Sequence, residues 1–349
     1  MAGTLAIGID IGGTKIAAGV VDEQGQVLAR RRADTPGTDT AAVLDTIGDV
    51  VEQLRGEHDG GAGRRIGAGE IGALGIGAAG FVDASGSAVL FAPHLAWRNE
   101  PLRDAVARRT GLPVVVENDA NASGWAEWRF GAVQGEPDVV LVTLGTGIGG
   151  ALVIDGEPYR GRFGVAGEFG HMQVVPDGLP CDCGNRGCWE QYASGRVLTR
   201  RGRAAAEAGT PLGRRLLDAS GGSVQDIHGS HVTASAQEGD EETTGWIAEV
   251  GDWLGVGMAS LASALDPGVF VVGGGLSDAG ELLLAPARSA FSRSLSGRGH
   301  RPEARIVAAG LGPEAGLIGA ADIARAATRS QSAAPSSGQS GRPGPFSGS

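Results

Sequence analysis

The chain has 349 residues, 42% of them hydrophobic and 20% charged, with a net charge of −11. That acidic balance disfavours nucleic acid and anionic membrane as partners, since both demand a positive surface. The opening MAGTLAIGIDIGGTK lacks a basic leader and a cleavage-like site, and no apolar run of about 18 residues follows. Together with an odd, low cysteine count, this predicts a soluble cytoplasmic protein with enough chain for two domains.

In chain order, residues 4–9 and 16–22 read as strands around a glycine turn, and VVDEQGQVLARR continues the meander past a second turn at Gln24-Gly25. Val43, Ile47, Val50, Val51 and Leu54 fall at helical spacing, predicting an amphipathic helix over 41–55. A strand at 71–78, a hairpin through FVDASGSAVLF, a short helix from Pro101 and a buried strand at 113–119 follow. NASGWAEWRFG, 121–131, reads as the next helix.

A second meander, 138–147 and 150–161, repeats the first: apolar strand, Gly-Gly turn with Thr, apolar strand, hairpin turn. The likeness points to an internal duplication of the supersecondary unit. Helices are predicted at 192–208, 243–265, 279–296 and 314–328, with strands at 268–277 and 304–309. The Ser/Gly/Pro-rich end from 329 cannot bury enough to fold and is expected to be disordered. Alternating strands and helices give an α/β class, in which ligands gather at strand carboxyl ends.

GTGIGG, 145–150, matches the dinucleotide pattern G-x-G-x-x-G, but that fingerprint needs a following helix and this segment runs on into a strand. GIDIGGTK has the order Gly-Thr-Lys where a P-loop has Gly-Lys-Thr, and it also continues as a strand. Both are read as hairpin tips. Plain tight turns would explain either alone; two alike, plus VVGGGLS, favour phosphate and nucleotide binding through backbone N–H groups. Thr14 and Thr146 add hydroxyl donors, Asp10 offers oxygen to hydrated Mg²⁺, and Lys15 is the only lysine of the chain.

All three cysteines lie in CDCGNRGCW, 181–189. A disulfide plus one free thiol is one reading, although a single residue between Cys181 and Cys183 strains a bridge there. Cys181, Cys183 and Cys188 with His171, ten residues upstream, would complete a tetrahedral Cys₃His zinc site. A satisfied histidine without a metal is the alternative for His171. A closed site does no chemistry itself, but it would pin Glu168 and Glu190, whose carboxylates suit sugar hydroxyls.

In VVVENDANASGW, Glu117, Asn118, Asp119 and Asn121 cluster at a strand end before a helix. Helix capping explains one such residue. The density of the cluster adds a second reading, an Asp that accepts a hydroxyl proton in phosphoryl transfer.

IGIDIGGTK, GAAGFVD, VENDANA, LGTGIGGALVIDG, GEFGH, CDCGNRGCWEQYASG and VVGGGLS together resemble the bacterial ROK-family sugar kinases, within them the zinc-containing glucokinases, over residues 4–328. The resemblance implies a two-lobed actin/hexokinase-like (ribonuclease H-like) ATPase fold with duplicated β-meander units. The small lobe would be 1–121, with the helix at about 312–328 returning to it; the large lobe would be 122–311, with the zinc site; 329–349 would be the tail. It implies Asp119 as base for the sugar 6-hydroxyl, with Asn118, Glu168, His171, Glu190 and Gly80 around the sugar. His171 would serve zinc through one ring nitrogen and sugar through the other. Asp10, Gly12, Gly13, Thr14 and Lys15, facing Gly145, Thr146 and Gly147, would hold phosphates and Mg²⁺, with Gly274 and Gly275 against the adenosine. Where the family has Asn after Pro, this chain has His94 in APHLAW; Asn99 is the candidate replacement.

The implied activity is ATP-dependent phosphorylation of glucose, with another hexose, such as mannose, fructose or an N-acetylhexosamine, as the alternative substrate. A non-catalytic sugar-binding regulator is the alternative of a different class. Repressors of the family carry a helix-turn-helix before the first phosphate turn, and nine residues before Asp10 leave no room for one. The implied partners are a sugar and ATP, without nucleic acid or membrane, in a homodimer or homotetramer.

Overall fold

The computed structural model describes residues 5–333 apart from 38, 57–65, 67, 93, 94 and 96. Two five-stranded sheets dominate it. The first is built from β1 (Leu5–Ile11), β2 (Lys15–Val21), β3 (Val27–Asp34), β4 (Ile71–Ala78) and β8 (Val114–Asn118), in the order β3-β2-β1-β4-β8. The second is built from β9 (Val139–Leu144), β10 (Ile148–Ile154), β11 (Glu157–Pro158), β12 (Val269–Gly273) and β13 (Arg305–Ala308), in the order β11-β10-β9-β12-β13. In both, the first three strands form an antiparallel meander and the last two add parallel to its first strand. The repeat suggested by the two glycine turns therefore extends to two whole sheets of one topology.

A small sheet of β5 (Phe81–Val82), β6 (Val89–Ala92) and β7 (Trp97–Glu100) caps the first half. The hairpin was expected; β7 was not, because WRNE is short and polar. α1 (Thr40–Arg55) starts at the Asp39 cap and buries the five aliphatic residues that its periodicity selects. α2 (Leu102–Thr110) begins one residue later than predicted, with Pro101 in the capping position.

α3 (Asp119–Phe130) and α9 (Ala315–Ala333) pack on each other; α9 lies on β1 and β4, and α3 reaches β10 of the second sheet. Small residues allow this. A Cβ at Gly75 would stand 1.8 Å from the carbonyl oxygen of Ala320, so strand β4 admits α9 only without a side chain there. The remaining helices are α4 (Gly195–Glu207), α5 (Pro211–Ala219), α6 (Gly229–Gln237), α7 (Glu241–Leu265) and α8 (Glu281–Ser294). Ile247, Val250, Leu254 and Met258 of α7 share a core with Val140, Val142, Phe270 and Val272 of the second sheet.

Sequence reading missed α5 and α6. For α5 the signal was present: Thr210 caps it by accepting from the Gly213 N–H, with Pro211 in the first turn. The chain end differs from expectation too. α9 runs on through residue 333, its last turns tied by an Arg329–Glu23 ion pair and a 3.1 Å bond from Ser330 Oγ to the Ala326 carbonyl. The rest of the expected tail lies outside the described residues, as does His94. No helix among the described residues is long and apolar enough to cross a membrane.

Candidate active site

Asn118 is the last residue of β8 and the N-cap of α3, its Oδ1 accepting the Asn121 N–H at 3.0 Å. Its Nδ2 donates to the Gly80 carbonyl at 3.0 Å, which leaves one amide hydrogen free to meet a ligand. The cap is thus Asn118, and Asp119, the first helical residue, keeps its carboxylate available. Burial pushes the Asp119 carboxyl above the usual range, with the N–H groups of Ala120 and Asp119 itself pulling the other way.

Two cavities meet at Asp119. The larger, about 600 Å³, is walled by Gly80, Asn118, Asp119, Glu168, His171 and Glu190, and reaches the second glycine turn at Gly145 and Gly147. The smaller, about 190 Å³, takes in Asp10, Asp119, Glu127, Gly274, Pro313 and Gly316. Asp119, Ala120 and Thr143 belong to both walls.

Burial pushes the Asp10 carboxyl up to about 7, and the charge of Asp119 adds to the shift. The rest of the first turn is a hairpin tip held by Gly12 N–H to the Lys15 carbonyl at 2.9 Å and by Thr35 Oγ1 to the Gly12 carbonyl at 2.9 Å. Gly13, Thr14 and Lys15 are exposed, and of the turn only Asp10 lies on a cavity wall. The second tip is closed by Gly145 N–H to the Gly147 carbonyl at 3.0 Å, and the first N–H of α4, that of Gly195, donates to the Gly145 carbonyl at 2.9 Å. Thr146 is exposed at its apex. Gly274 lines the smaller cavity, and Gly275 follows it in the turn after β12. Asn99 sits exposed on β7 in the left-handed region, φ 50°, on neither wall.

The cysteine loop folds under the larger cavity. One ligand atom each from His171, Cys181, Cys183 and Cys188 all lie within 4.8 Å of one another. Cys181 Sγ is 3.7 Å from His171 Nδ1, and Cys183 Sγ is 3.6 Å from Cys188 Sγ. A tetrahedron with metal–sulfur bonds of about 2.3 Å has edges of about 3.8 Å, so these spacings fit zinc. They do not fit a disulfide; all three thiols are free. With Nδ1 turned to Cys181, Nε2 of His171 faces Glu168, 4.0 Å from its Oε2.

Glu190 follows Cys188 in a short turn, is 8% exposed, and accepts from Cys181 Sγ at 3.2 Å. Its carboxylate fills the space beside Gly147, where a Cβ would stand 2.4 Å from Oε2. Burial pushes the Glu168 carboxyl up, the imidazole of His171 pulls it down, and Asp119 and Glu190 raise it further. Trp189, fully buried, donates Nε1–H to the Trp253 carbonyl at 2.8 Å and so anchors the loop to α7.

Sequence reading missed several wall residues. Phe81 and Phe91, 5.9 Å apart between ring centroids, present the β5–β6 hairpin to the larger cavity. Arg196 and Asp182 pair across its far side. No spacing marked them, because they meet the others only after folding.

A sequence profile described as the ROK family matches residues 6–327. A glucokinase of Streptomyces coelicolor is 50% identical over 321 residues, 92% of this chain and 98% of that one. The crystal structure of a ROK family glucokinase from Streptomyces griseus, in complex with glucose and AMPPNP, has 52% identity and a TM-score of 0.82, covering 92% of this chain and 99% of that one. A ROK hexokinase from Thermus thermophilus has 33% identity and a TM-score of 0.75, with 93% and 99% covered.

Proposed function

The chain belongs to the ROK family, and we propose that it is an ATP-dependent glucose kinase forming glucose 6-phosphate. The observation that carries this reading is Asp119, a carboxylate on the common wall of two adjoining cavities. Identity of 50% to a Streptomyces glucokinase over nearly the whole chain supports the same substrate pair.

Glucose takes the larger cavity, its 6-hydroxyl toward Asp119. Glu168 and Glu190 accept sugar hydroxyls, Asn118 donates its free amide hydrogen, and His171 offers Nε2. A sugar with a misplaced hydroxyl leaves a buried carboxylate unpaired, which discriminates strongly. Asp119 takes the 6-hydroxyl proton as that oxygen bonds to the γ-phosphorus and the bond to the ADP oxygen breaks. Its raised carboxyl suits the task, since a carboxylate with a raised pKa is a stronger base toward the 6-hydroxyl proton.

The ATP phosphates lie between the tips at Gly12–Lys15 and Gly145–Gly147; the N–H groups of Gly12 and Gly145 close the tips themselves, so the donors are the N–H groups of Gly13, Thr14 and Thr146 with the Thr14 and Thr146 hydroxyls. Lys15 adds positive charge, and Gly274 and Gly275 flank the adenosine. Mg²⁺ bound with ATP would supply charge neutralisation, and Asp10 is the carboxylate that would hold it. His171 Nδ1, Cys181, Cys183 and Cys188 would hold a structural Zn²⁺, which would supply rigidity to the sugar wall. The halves built on the two sheets act as lobes, split near residue 121, that exclude water around the sugar. Free thiols grouped for metal fit a reducing cytoplasm, and the expected assembly is a homodimer or homotetramer.

The test is ADP release with Mg-ATP across glucose, mannose, fructose, N-acetylglucosamine and N-acetylmannosamine. A strong preference for glucose supports the reading and shows that His94 is tolerated. Turnover of another sugar moves the specificity, with His94→Asn the first variant to make. Sugar binding without turnover of any would favour a regulator instead.

A further inference from the structure

Glu117 has no part in the mechanism above, yet it lies directly behind the sugar-binding edge. It is 3% exposed, one residue before Asn118 on β8. One oxygen, Oε1, accepts both the backbone N–H of Asn118 and Nδ2–H of Asn121, each at 3.0 Å. The other, Oε2, accepts from Nε of Arg160. Arg160 follows β11 in the second sheet, so the pair joins the two halves of the molecule.

Arg160 is also the base of a short strap. Its carbonyl accepts the Ala166 N–H at 3.1 Å, closing residues 160–166 into a loop that delivers Glu168 to the cavity. Within the loop Gly164, φ +86°, lies against the β5–β6 hairpin, where a Cβ would stand 2.3 Å from the Val82 carbonyl oxygen. That hairpin supplies Phe81 and Phe91 to the same cavity. The strap therefore rests on the first half at two points, and Glu168 leaves from it already aimed.

We propose that the Glu117–Arg160 pair positions the sugar-binding groups: it holds Asn118 and the strap bearing Glu168 in one frame before sugar arrives. Neither side chain is asked to touch the sugar. Preorganisation of this kind spares the ordering cost of binding. The inference rests on the reading of the larger cavity as the sugar site.

The test compares Glu117→Gln, Arg160→Met and the double variant with the full-length wild type. Glu117→Gln keeps Oε1 as acceptor for Asn118 and Asn121 and places an amide against Arg160; Arg160→Met keeps the apolar stem. Sugar affinity is read by calorimetry, and KM for sugar and for ATP by ADP release, using whichever hexose the wild type turns over fastest. Each single variant should weaken sugar binding by about tenfold, with KM for ATP within about twofold, because a misplaced binding group is felt at its own ligand. The double variant should be no weaker than about twofold beyond the worse single one, as one shared interaction requires.

Sugar affinity unchanged in Glu117→Gln, effects that multiply in the double variant, or an equal rise in KM for ATP would overturn the proposal. A lower melting temperature with unchanged sugar constants would mark the pair as a fold element only. Should Arg160→Met not fold, Glu117→Gln with Arg160→Lys carries the comparison. A wild type that binds no hexose sinks the reading of the cavity, whereas a wild type that binds and variants that match it sink this inference alone.

Discussion

Asp10 and Asp119 stand on one cavity wall although they come from strands separated by β4, one from β1 and one from just past the end of β8. Burial and the Asp119 charge raise the Asp10 carboxyl from 3.8 to about 7. Between those values the folded protein holds a proton that the unfolded chain has released. The stability from this group is therefore full below pH 3.8 and is lost as pH rises through about 7. Ligand-free protein should melt at a higher temperature near pH ~5 than near pH ~7.5, and Asp10→Asn should shrink that difference by about 3 °C or more. Melts of both proteins at the two pH values check it; an equal pH dependence would remove Asp10 as its source.

Asp119→Asn should lower turnover by about 10³-fold or more, because the amide cannot take the 6-hydroxyl proton. Sugar affinity should stay within about threefold of wild type, since the remaining wall groups persist and the Asn118 cap of α3 is untouched. Calorimetry with glucose and ADP release on the same preparation separate the two. Retained turnover would remove Asp119 as base.

Elemental analysis should find about one zinc per chain, as four clustered ligands require. Cys188→Ser should lose the metal and the melting temperature together, because Cys188 is fully buried and adjoins Trp189 in the core. Metal content is read without reference to activity, so an active but zinc-free protein would sink the assignment directly.

Local chemistry carried most of what the sequence could say. The cysteine cluster was legible because its four ligands lie within 18 residues, 171 to 188, and the glycine turns because a strand follows each. The two-sheet duplication showed through those turns. What stayed hidden depends on distant partners. Glu117 reads as one more polar residue of the VVVENDANA cluster until Arg160, 43 residues on, folds against it. Asp119 or Asn121 could cap α3 on composition, yet the cap is Asn118, with extended backbone and its side chain accepting the Asn121 N–H. Lys15, conspicuous as the one lysine, stands exposed beside its turn and on neither cavity wall.

Glu127 was invisible for the same reason. It is 1% exposed, two helical turns after Asp119, and accepts the N–H groups of Ala132 at 3.0 Å, Gly310 at 3.0 Å and Leu311 at 2.8 Å. It thereby ties α3 to the segment that leads from β13 into α9 and lines the smaller cavity. Glu127→Ala strands three donors and should cost about 3 kcal/mol or more in a denaturant titration. Turnover by the folded fraction should show a raised KM for ATP and little change for sugar; the opposite split would misplace the nucleotide.

The chain end offers the last test. Cutting after residue 333 keeps all of α9 and should leave activity and melting temperature unchanged. Cutting after Thr328 removes Arg329 and its ion pair with Glu23, together with the Ser330 bond to Ala326. The arginine side chain is 57% exposed, so its loss should cost no more than about 1 kcal/mol. Leu317, Ile318, Ala321 and Ala324, which seat α9 on the first sheet, remain in either protein. The shorter protein should therefore melt slightly lower with its kinetic constants intact. A loss of turnover in the 333-residue protein would mean that the Ser/Gly/Pro-rich end serves the reaction, and a large drop in melting temperature that it supports the fold.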